Sequence, residues 1–332
     1  MKILVLEYIT GGGMRQEDIP HSLSIEGEMM LSALVDDLLA LSMGLELIVL
    51  RDDRLPLPFH DGIKNIMVGV TDTFMTAWTH WISRCDAAWP IAPETGGILG
   101  QLCLDVETAG KALLACPSVA VRLAASKLAT VRRLAESGLP VVETVAMDGC
   151  HLPTGNAFVV KPDDGVGCEG IAVIRENGQL QAHANTEGLI VQPLLEGEPA
   201  SLSVLFASGN ARLLSCNRQL IERAGDGFIL KGCVVNAFPD ADGSMQLLAE
   251  KVALAMPELW GYAGIDLMMT ENGPVILEIN PRLTTSYAGL RLATSENPAG
   301  SVLDLLKTGQ LPAYSTQTGK PVGIGIGKAC DD

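Results

Sequence analysis

The sequence predicts an α/β domain over residues 1–118, followed by a larger mixed α+β portion over residues 119–332. Three observations carry that prediction. Before residue 118, apolar runs alternate with a stretch of helical spacing, as in a parallel sheet wrapped by helices. After Ala200, three apolar runs separated by turn residues read as an antiparallel sheet. Residues 263–282, AGIDLMMTENGPVILEINPR, read as a β-hairpin that carries Asp266, Glu278 and Asn280, groups an ordinary core strand excludes.

Composition bounds the function. A chain of 332 residues with 48% apolar residues has material for two or three packed domains. It holds no run of about 18 uncharged apolar residues, so no membrane span is expected. The opening MKILVLEYITGGG has one Lys and a short apolar stretch, and reads as a buried strand, not a signal peptide. A net charge of −16 argues against a nucleic-acid partner, which needs a basic footprint, but leaves anionic small ligands open. The eight cysteines show no C-x-x-C pairing and are expected to be reduced thiols of a cytoplasmic protein. The five histidines are dispersed, which argues against a zinc site.

In the first domain, residues 2–6 and 45–50 are strands and 87–91 a later one. Residues 26–41 space Met29, Met30, Ala33, Leu34, Leu38 and Leu41 as one face of a helix. The turn Thr10-Gly11-Gly12-Gly13 lets a ligand approach the backbone, but it is not G-x-G-x-x-G and so is no dinucleotide fingerprint. The loop A-P-E-T-G-G at 92–97 follows a strand in the same way, and loops at strand C-terminal ends line the crevice of parallel sheets. Glu7, Glu28 and Glu94 are therefore candidate substrate contacts, against the alternative that each is a solvated carboxylate.

Residues 119–195 form the next unit. Ser126-Lys127 opens an amphipathic helix that Gly138-Leu139-Pro140 ends, with strands expected at 141–145, 157–160 and 171–174. The strand at 157–160 delivers Lys161 to a glycine-rich loop containing Gly165, Gly167 and Gly170. An ammonium at a strand end with mobile backbone N–H groups beyond it suits polyphosphate. Residues 188–197, GLIVQPLLEG, read as a hinge strand at which Gln192 and the backbone of Leu194 and Leu195 could meet a purine base. In the last unit, residues 196–332, strands are expected at 201–206, 211–217 and 228–235, with helices at 245–256 and 302–306. Arg218 and Lys231 are the sheet's prominent cations, and Arg218 is a candidate nucleotide contact.

In the hairpin, Glu278 and Asn280 share one strand face. Opposing Asp266 to Glu278 requires an odd loop, and a three-residue Glu271-Asn272-Gly273 loop with Gly273 left-handed supplies it. Two carboxylates and an amide then converge on one face, an oxygen set with too few protein ligands for Ca²⁺ and well suited to Mg²⁺ with phosphate and water. Gly323-Ile324-Gly325-Ile326-Gly327-Lys328 only imitates a P-loop, because Val322 and Ala329 replace the required Gly and Ser/Thr; it reads as a late strand.

Taken in order, Lys127, Lys161 with its glycine loop, V-Q-P-L-L-E-G at 191–197, Asp266 and E-I-N-P-R at 278–282 resemble the ATP-grasp superfamily over roughly residues 119–300. The resemblance implies a Rossmann-like pre-ATP-grasp domain followed by a two-lobed ATP-grasp fold, with ATP and one or two Mg²⁺ or Mn²⁺ ions. It implies Lys127 and Lys161 on the phosphates and adenine side, Gln192 and Leu194 at adenine, and Asp266, Glu278 and Asn280 on metal. Arg282 would stabilise the oxyanion of an acyl-phosphate step. Where the family often has a ribose-binding Glu this chain has Pro199, leaving Glu198 or Ser201 as substitutes. The first half, with L-E-Y-I-T-G-G-G, S-L-S-I-E-G-E-M-M-L-S-A-L and A-W-P-I-A-P-E-T-G-G-I-L, resembles the tyramine–glutamate ligase group of methanofuran and methylofuran biosynthesis. The expectation is a carboxylate–amine ligase of small-molecule substrates, with a homodimer as the default assembly. A carboxylase or purine-type ligase and a non-catalytic ATP-binding module are the alternatives.

Overall fold

The structure is a computed structural model that describes residues 1–56, 62–69, 73–147, 152–168, 170–175, 180, 186–313 and 319–326. Cys150, Cys330, Gly327 and Lys328 therefore lie outside the described residues.

The first unit runs β1 (Lys2–Glu7), α1 (His21–Ala40), β2 (Glu46–Asp52), β3 (Lys64–Val68), α2 (Phe74–Ile82), β4 (Ala87–Ile91), α3 (Ile98–Thr108) and β5 (Ala112–Leu113). Its five strands are parallel in the order β3-β2-β1-β4-β5. β1 is a continuous apolar run because both its faces are covered. Ile3 and Val5 pack with Leu31, Leu34 and Leu38 of α1, while Leu4 and Leu6 pack with the core that includes Trp78 of α2 and Leu99 of α3. β3, α2 and α3 escaped the sequence reading. α1 begins five residues before the expected Glu26.

The second unit contains α4 (Ser118–Ala125), α5 (Lys127–Glu136), β6 (Val145–Ala146), β7 (Phe158–Pro162), β8 (Ala172–Ile174) and β9 (Leu189–Pro193). Its strands form an antiparallel sheet in the order β6-β9-β7-β8. Ser126 caps α5 as its side chain suggests, accepting from the Ala129 N–H. The strand expected at 141–145 shrinks to its last residue. Val142 instead donates to the Ile276 carbonyl at 3.0 Å, and Ile276 donates to the Pro140 carbonyl at 2.8 Å, so this connection is tied to the hairpin.

The third unit is β10 (Glu198–Ala207), β11 (Asn210–Ala224), β12 (Gly227–Val235), α6 (Ser244–Ala255), β13 (Gly261–Thr270), β14 (Gly273–Asn280), α7 (Tyr287–Thr294), α8 (Pro298–Thr308) and β15 (Val322–Gly325). Six antiparallel strands lie in the order β14-β13-β10-β11-β12-β15, so the false P-loop stretch enters as an edge strand on β12. α6 packs across β10 and β11 and buries Ala200, Leu202 and Leu213 against Leu248 and Val252. No helix among the described residues is long and apolar enough to cross a membrane.

The hairpin corrects one expectation and keeps its consequence. Thr270 pairs with Gly273, so the loop is the two residues Glu271-Asn272, not three. The parity is restored by a β-bulge: the register shifts between Asp266 and Leu267, leaving Leu277 as the extra residue of β14. Asp266 therefore still faces Glu278. Gly273 does take a positive φ, 110°, beside the turn.

Candidate active site

A cavity of about 500 Å³ opens between the small and large sheets, a volume in the range of nucleotide-sized ligands. One part is apolar, walled by Val142, Val159, Leu194, Met268 and Leu277, and flat aliphatic walls suit a planar base. Gln192 borders it, nearly buried, with its Nε2 donating to Thr144 Oγ1 at 3.0 Å. The Leu194 N–H is not open, as the sequence reading had it. It donates to the Ala157 carbonyl at 2.9 Å, because the β7–β9 ladder extends one residue past the Phe158–Pro193 pair. Gly197 must be glycine: a Cβ there would lie 2.4 Å from the Met269 carbonyl oxygen, where the hinge crosses β13.

The other part is charged. Asp163 fastens the glycine loop to α5, accepting from Ser126 Oγ at 2.6 Å and from the Leu128 N–H at 2.8 Å. Lys127, the first residue of α5, donates to the carbonyls of Gly165 and Asp163 and lies 3.4 Å from Glu278 Oε2. Lys161 reaches the same oxygen at 3.7 Å from the end of β7. Burial pulls the Lys161 ammonium below the ordinary lysine range, against the opposing pull of Glu278. Burial also works against the Glu278 carboxylate, but Lys127 and Lys161 outweigh it and hold its pKa below the usual value. Gly165 and Gly167 line the cavity, whereas Gly170 does not: it turns back onto Pro162, whose Cδ lies 3.1 Å from where its Cβ would be.

Opposite Glu278, burial and that neighbouring carboxylate push Asp266 up to about 7, although Gln219, Asn280 and Arg282 all favour its charged form. Gln219 Nε2 donates to Asp266 Oδ1 at 3.1 Å. Two acids face to face on adjacent strands repel, and a cation between them relieves the repulsion. Among the described residues no group of three His, Cys, Asp or Glu is placed to hold a metal. The set here is two carboxylates and the Asn280 amide, which leaves coordination positions for phosphate and water oxygens and so fits Mg²⁺.

Arg282 lies two residues beyond Asn280. Its Nε donates to Glu94 Oε1 and Oε2 at 3.1 and 3.0 Å, and Nη1 donates to the Leu283 carbonyl at 3.2 Å. Burial disfavours the guanidinium charge, but Glu94 more than offsets this. Glu94, one of the three carboxylates read as substrate contacts, thus reaches the site by orienting Arg282, and is buried, not solvated.

The other two do not reach it. Glu7 is buried in a turn, accepting from the Ile9 and Thr10 N–H groups at 3.1 and 2.7 Å, and burial pushes its pKa up to about 7. Glu28 pairs with Arg51. The cavity is reached instead by Glu26, two residues away and so roughly 200° around α1, on nearly the opposite face. Glu198 and Arg218 pair with each other, half-exposed, outside the cavity lining. Strand alternation explains this: Gly197, Pro199 and Ser201 of the β10 segment and Gln219, Ile221 and Arg223 of β11 line the cavity, so their neighbours face away. Of the two substitutes for a ribose contact, only Ser201 is on the right face. Gln219, Arg223, Glu26 and the run Thr284-Thr285-Ser286 are lining residues the sequence reading missed, and parity along β11 was the available signal for two of them. Cys168 lies in the glycine loop, where burial raises its thiol to about 11, so it is no nucleophile at neutral pH. The six described cysteines are all free.

A nucleotide-sized cleft between two antiparallel sheets, with two lysines, an Asp–Glu–Asn face and an arginine at one end, defines the ATP-grasp class. The family descriptions agree. Residues 45–121 match the pre-ATP-grasp domain and residues 124–286 the ATP-grasp domain. The chain belongs to the ATP-grasp superfamily and is a ligase of the C–N bond-forming kind that uses ATP and a divalent metal ion. Within it, the chain is similar to the tyramine–L-glutamate ligase of Methanocaldococcus fervens, 28% identical over 88% of this chain and 90% of that one. It is also similar to a probable α-L-glutamate ligase of Vibrio parahaemolyticus, 24% identical over 61% of this chain and 70% of that one. A crystal structure of an ATP-grasp superfamily protein from Archaeoglobus fulgidus has the same fold, with a TM-score of 0.71 at 20% identity over 98% of this chain and all of the other.

Proposed function

We propose that this protein joins a carboxylate, the γ-carboxylate of L-glutamate, to the amine of tyramine or a related compound, in the assembly of a methanofuran-type cofactor. A carboxylate oxygen attacks the γ-phosphorus of ATP and ADP leaves with the cleaved P–O electron pair. The amine nitrogen then attacks the acyl carbon, phosphate leaves with the electron pair of the broken C–O bond, and the proton lost by the nitrogen passes to phosphate or water. The observation that carries this reading is the convergence of Lys127 and Lys161 on Glu278, opposite Asp266, with Arg282 next along the chain. Phosphoryl transfer needs positioning and charge neutralisation more than covalent help from the protein, and this chain offers those.

In this reading Lys127 and Lys161 leave Glu278 for phosphate oxygens as the nucleotide enters. The loop at Gly165 and Gly167 closes over the phosphates, and the apolar wall from Val142 to Met268 takes the base. Asp266, Glu278 and Asn280 would hold Mg²⁺, which supplies charge neutralisation at the phosphates when bound. Arg282, aimed by Glu94, donates to the oxygen that gains charge as the acyl carbon becomes tetrahedral. The likeness to the Methanocaldococcus fervens enzyme over nearly the whole of both chains supports the choice of substrates.

The test is ADP release by the purified protein with Mg-ATP and L-glutamate, with and without tyramine, and mass analysis of the product. Tyramine-dependent release with a glutamyl-tyramine mass is the expected result. Nucleotide binding without release for any acid–amine pair would contradict the ligase reading and favour a binding module.

A further inference from the structure

The nucleotide and metal chemistry leaves one cavity wall unused, the wall built from α1 and the segment after Arg282. Glu26 stands there, partly buried, on the second turn of α1. Thr285 Oγ1 donates to Glu26 Oε1, which ties the first domain to the large lobe. The flanking hydroxyls are fixed too: Tyr262 OH lies 3.0 Å from Thr284 Oγ1, and Ser286 Oγ lies 2.9 Å from Thr284 Oγ1 and 3.1 Å from Ser203 Oγ.

The helix itself is held in register by its next residue. Gly27 rests on the Glu7 carboxylate, and a Cβ at 27 would lie 2.4 Å from Glu7 Oε2. Glu7 is therefore the floor on which α1 is seated, and Glu26 projects from that seat. The negative charge of Glu26 acts on Arg282, on Cys233 and on Cys168, which places it toward the Arg282 part of the cavity.

The charges on the wall do not balance at Glu26. Glu278 has Lys127 and Lys161, Glu94 has Arg282, and Asp266 belongs to the metal set. Among the described residues Glu26 has only a neutral hydroxyl. Lys127, Lys161, Arg223 and Arg282 also line the cavity, but among the described residues none forms an ion pair with Glu26, and a carboxylate so placed is complementary to a cation on the ligand.

We propose that Glu26 is a specificity-determining residue that anchors a primary ammonium group of a substrate. The word substrate rests on the ligase reading; the recognition of an ammonium does not. Arg282 takes the acid and Glu26 the ammonium, so the cleft sorts the two charges before any bond forms. The ammonium could come from the amino acid that is activated or from the amine that is joined, and the two sources separate experimentally.

The test is calorimetric binding in the presence of Mg-ADP, with two matched pairs: L-glutamate against glutarate, and tyramine against 4-ethylphenol. Wild type is expected to prefer the ammonium-bearing member of at least one pair. Glu26→Gln keeps an acceptor for Thr285 but removes the charge, and should erase that preference by about 10- to 100-fold while Mg-ADP affinity stays unchanged. Loss in the glutamate pair assigns the α-ammonium, and loss in the tyramine pair assigns the amine. Glu26→Asp, which keeps the charge on a shorter stem, should restore part of the preference and guards against a folding defect.

A preference that survives Glu26→Gln, or wild type with no preference in either pair, overturns the proposal. A preference lost in the variant while wild type never releases ADP would keep the anchor and remove the ligase. Tyramine-dependent ADP release with unchanged KM values in Glu26→Gln would do the reverse.

Discussion

Glu278 and Glu7 each sit at or near the end of an apolar strand, and each is largely enclosed, yet their surroundings differ in kind. Glu278 faces the side chains of Lys127 and Lys161, with Asp266 across the ladder. Glu7 faces two backbone N–H groups and the bare Cα of Gly27. Side-chain cations can leave and be replaced by a ligand; backbone donors in a turn cannot. A carboxylate held by movable charges is a site, and one held by the backbone is part of the scaffold.

The largest effect should come from removing the movable partner. Glu278→Gln should lower turnover by roughly 10³-fold, because it takes the proposed metal ligand and the partner of both lysines, while the melting temperature changes little. Steady-state ADP release and thermal melting check this, and a comparable loss from Glu7→Gln would erase the distinction drawn here.

Scaffold changes should appear in stability. Gly27→Ala forces a methyl against the Glu7 carboxylate, and the double variant Glu7→Ala/Gly27→Ala should recover part of the loss, read as denaturant midpoints. Gly27→Ala is expected to cost about 1–3 kcal/mol.

Acid–base behaviour sharpens the contrast. Burial raises Glu7 in the folded state from 4.5 to about 7. Between those values the unfolded chain has lost the proton that the folded chain keeps, so stability falls as pH rises through the window and levels off above pH 7. The stability of wild type relative to Glu7→Gln should therefore decline from pH 5 to pH 7.5, by about 2–3 kcal/mol, in chemical denaturation at each pH. A flat difference would mean that Glu7 is ionised in the fold.

The smallest effect belongs to the half-exposed pair on the outer face. Arg218→Ala and Glu198→Ala should each change stability by less than about 1 kcal/mol and leave the KM for ATP within about twofold, because neither side chain lines the cavity.

The hairpin, the two lysines and the hinge were legible because each couples a polar group to an apolar strand, a pattern with a physical cost unless a ligand shares it. Asp266 opposite Glu278 was anticipated for the wrong loop: the odd residue is the Leu277 bulge, and bulges leave little trace in composition. Glu198 and Arg218 were misplaced because polarity was read without strand parity, although Gly197 and Pro199 already fixed which face looks inward. Glu26 is harder to tell from Glu28 in the sequence, because the choice depends on how α1 is rotated on β1, through Leu31, Leu34 and Leu38 and through the seat of Gly27 on Glu7 twenty residues away. α2 and α3 were legible too, because Phe74, Ala77, Trp78, Trp81 and Ile82 and then Leu99, Leu102, Cys103 and Val106 keep helical spacing.

The central claim is that the Asp266–Glu278 face is a cation site completed by nucleotide. Electron paramagnetic resonance of Mn²⁺ titrated into the protein with and without ADP tests it most directly. The account predicts weak Mn²⁺ binding alone, strong binding with ADP, and loss of the ADP-dependent gain in Glu278→Gln. Mn²⁺ bound equally well by wild type and Glu278→Gln in the presence of ADP would contradict it.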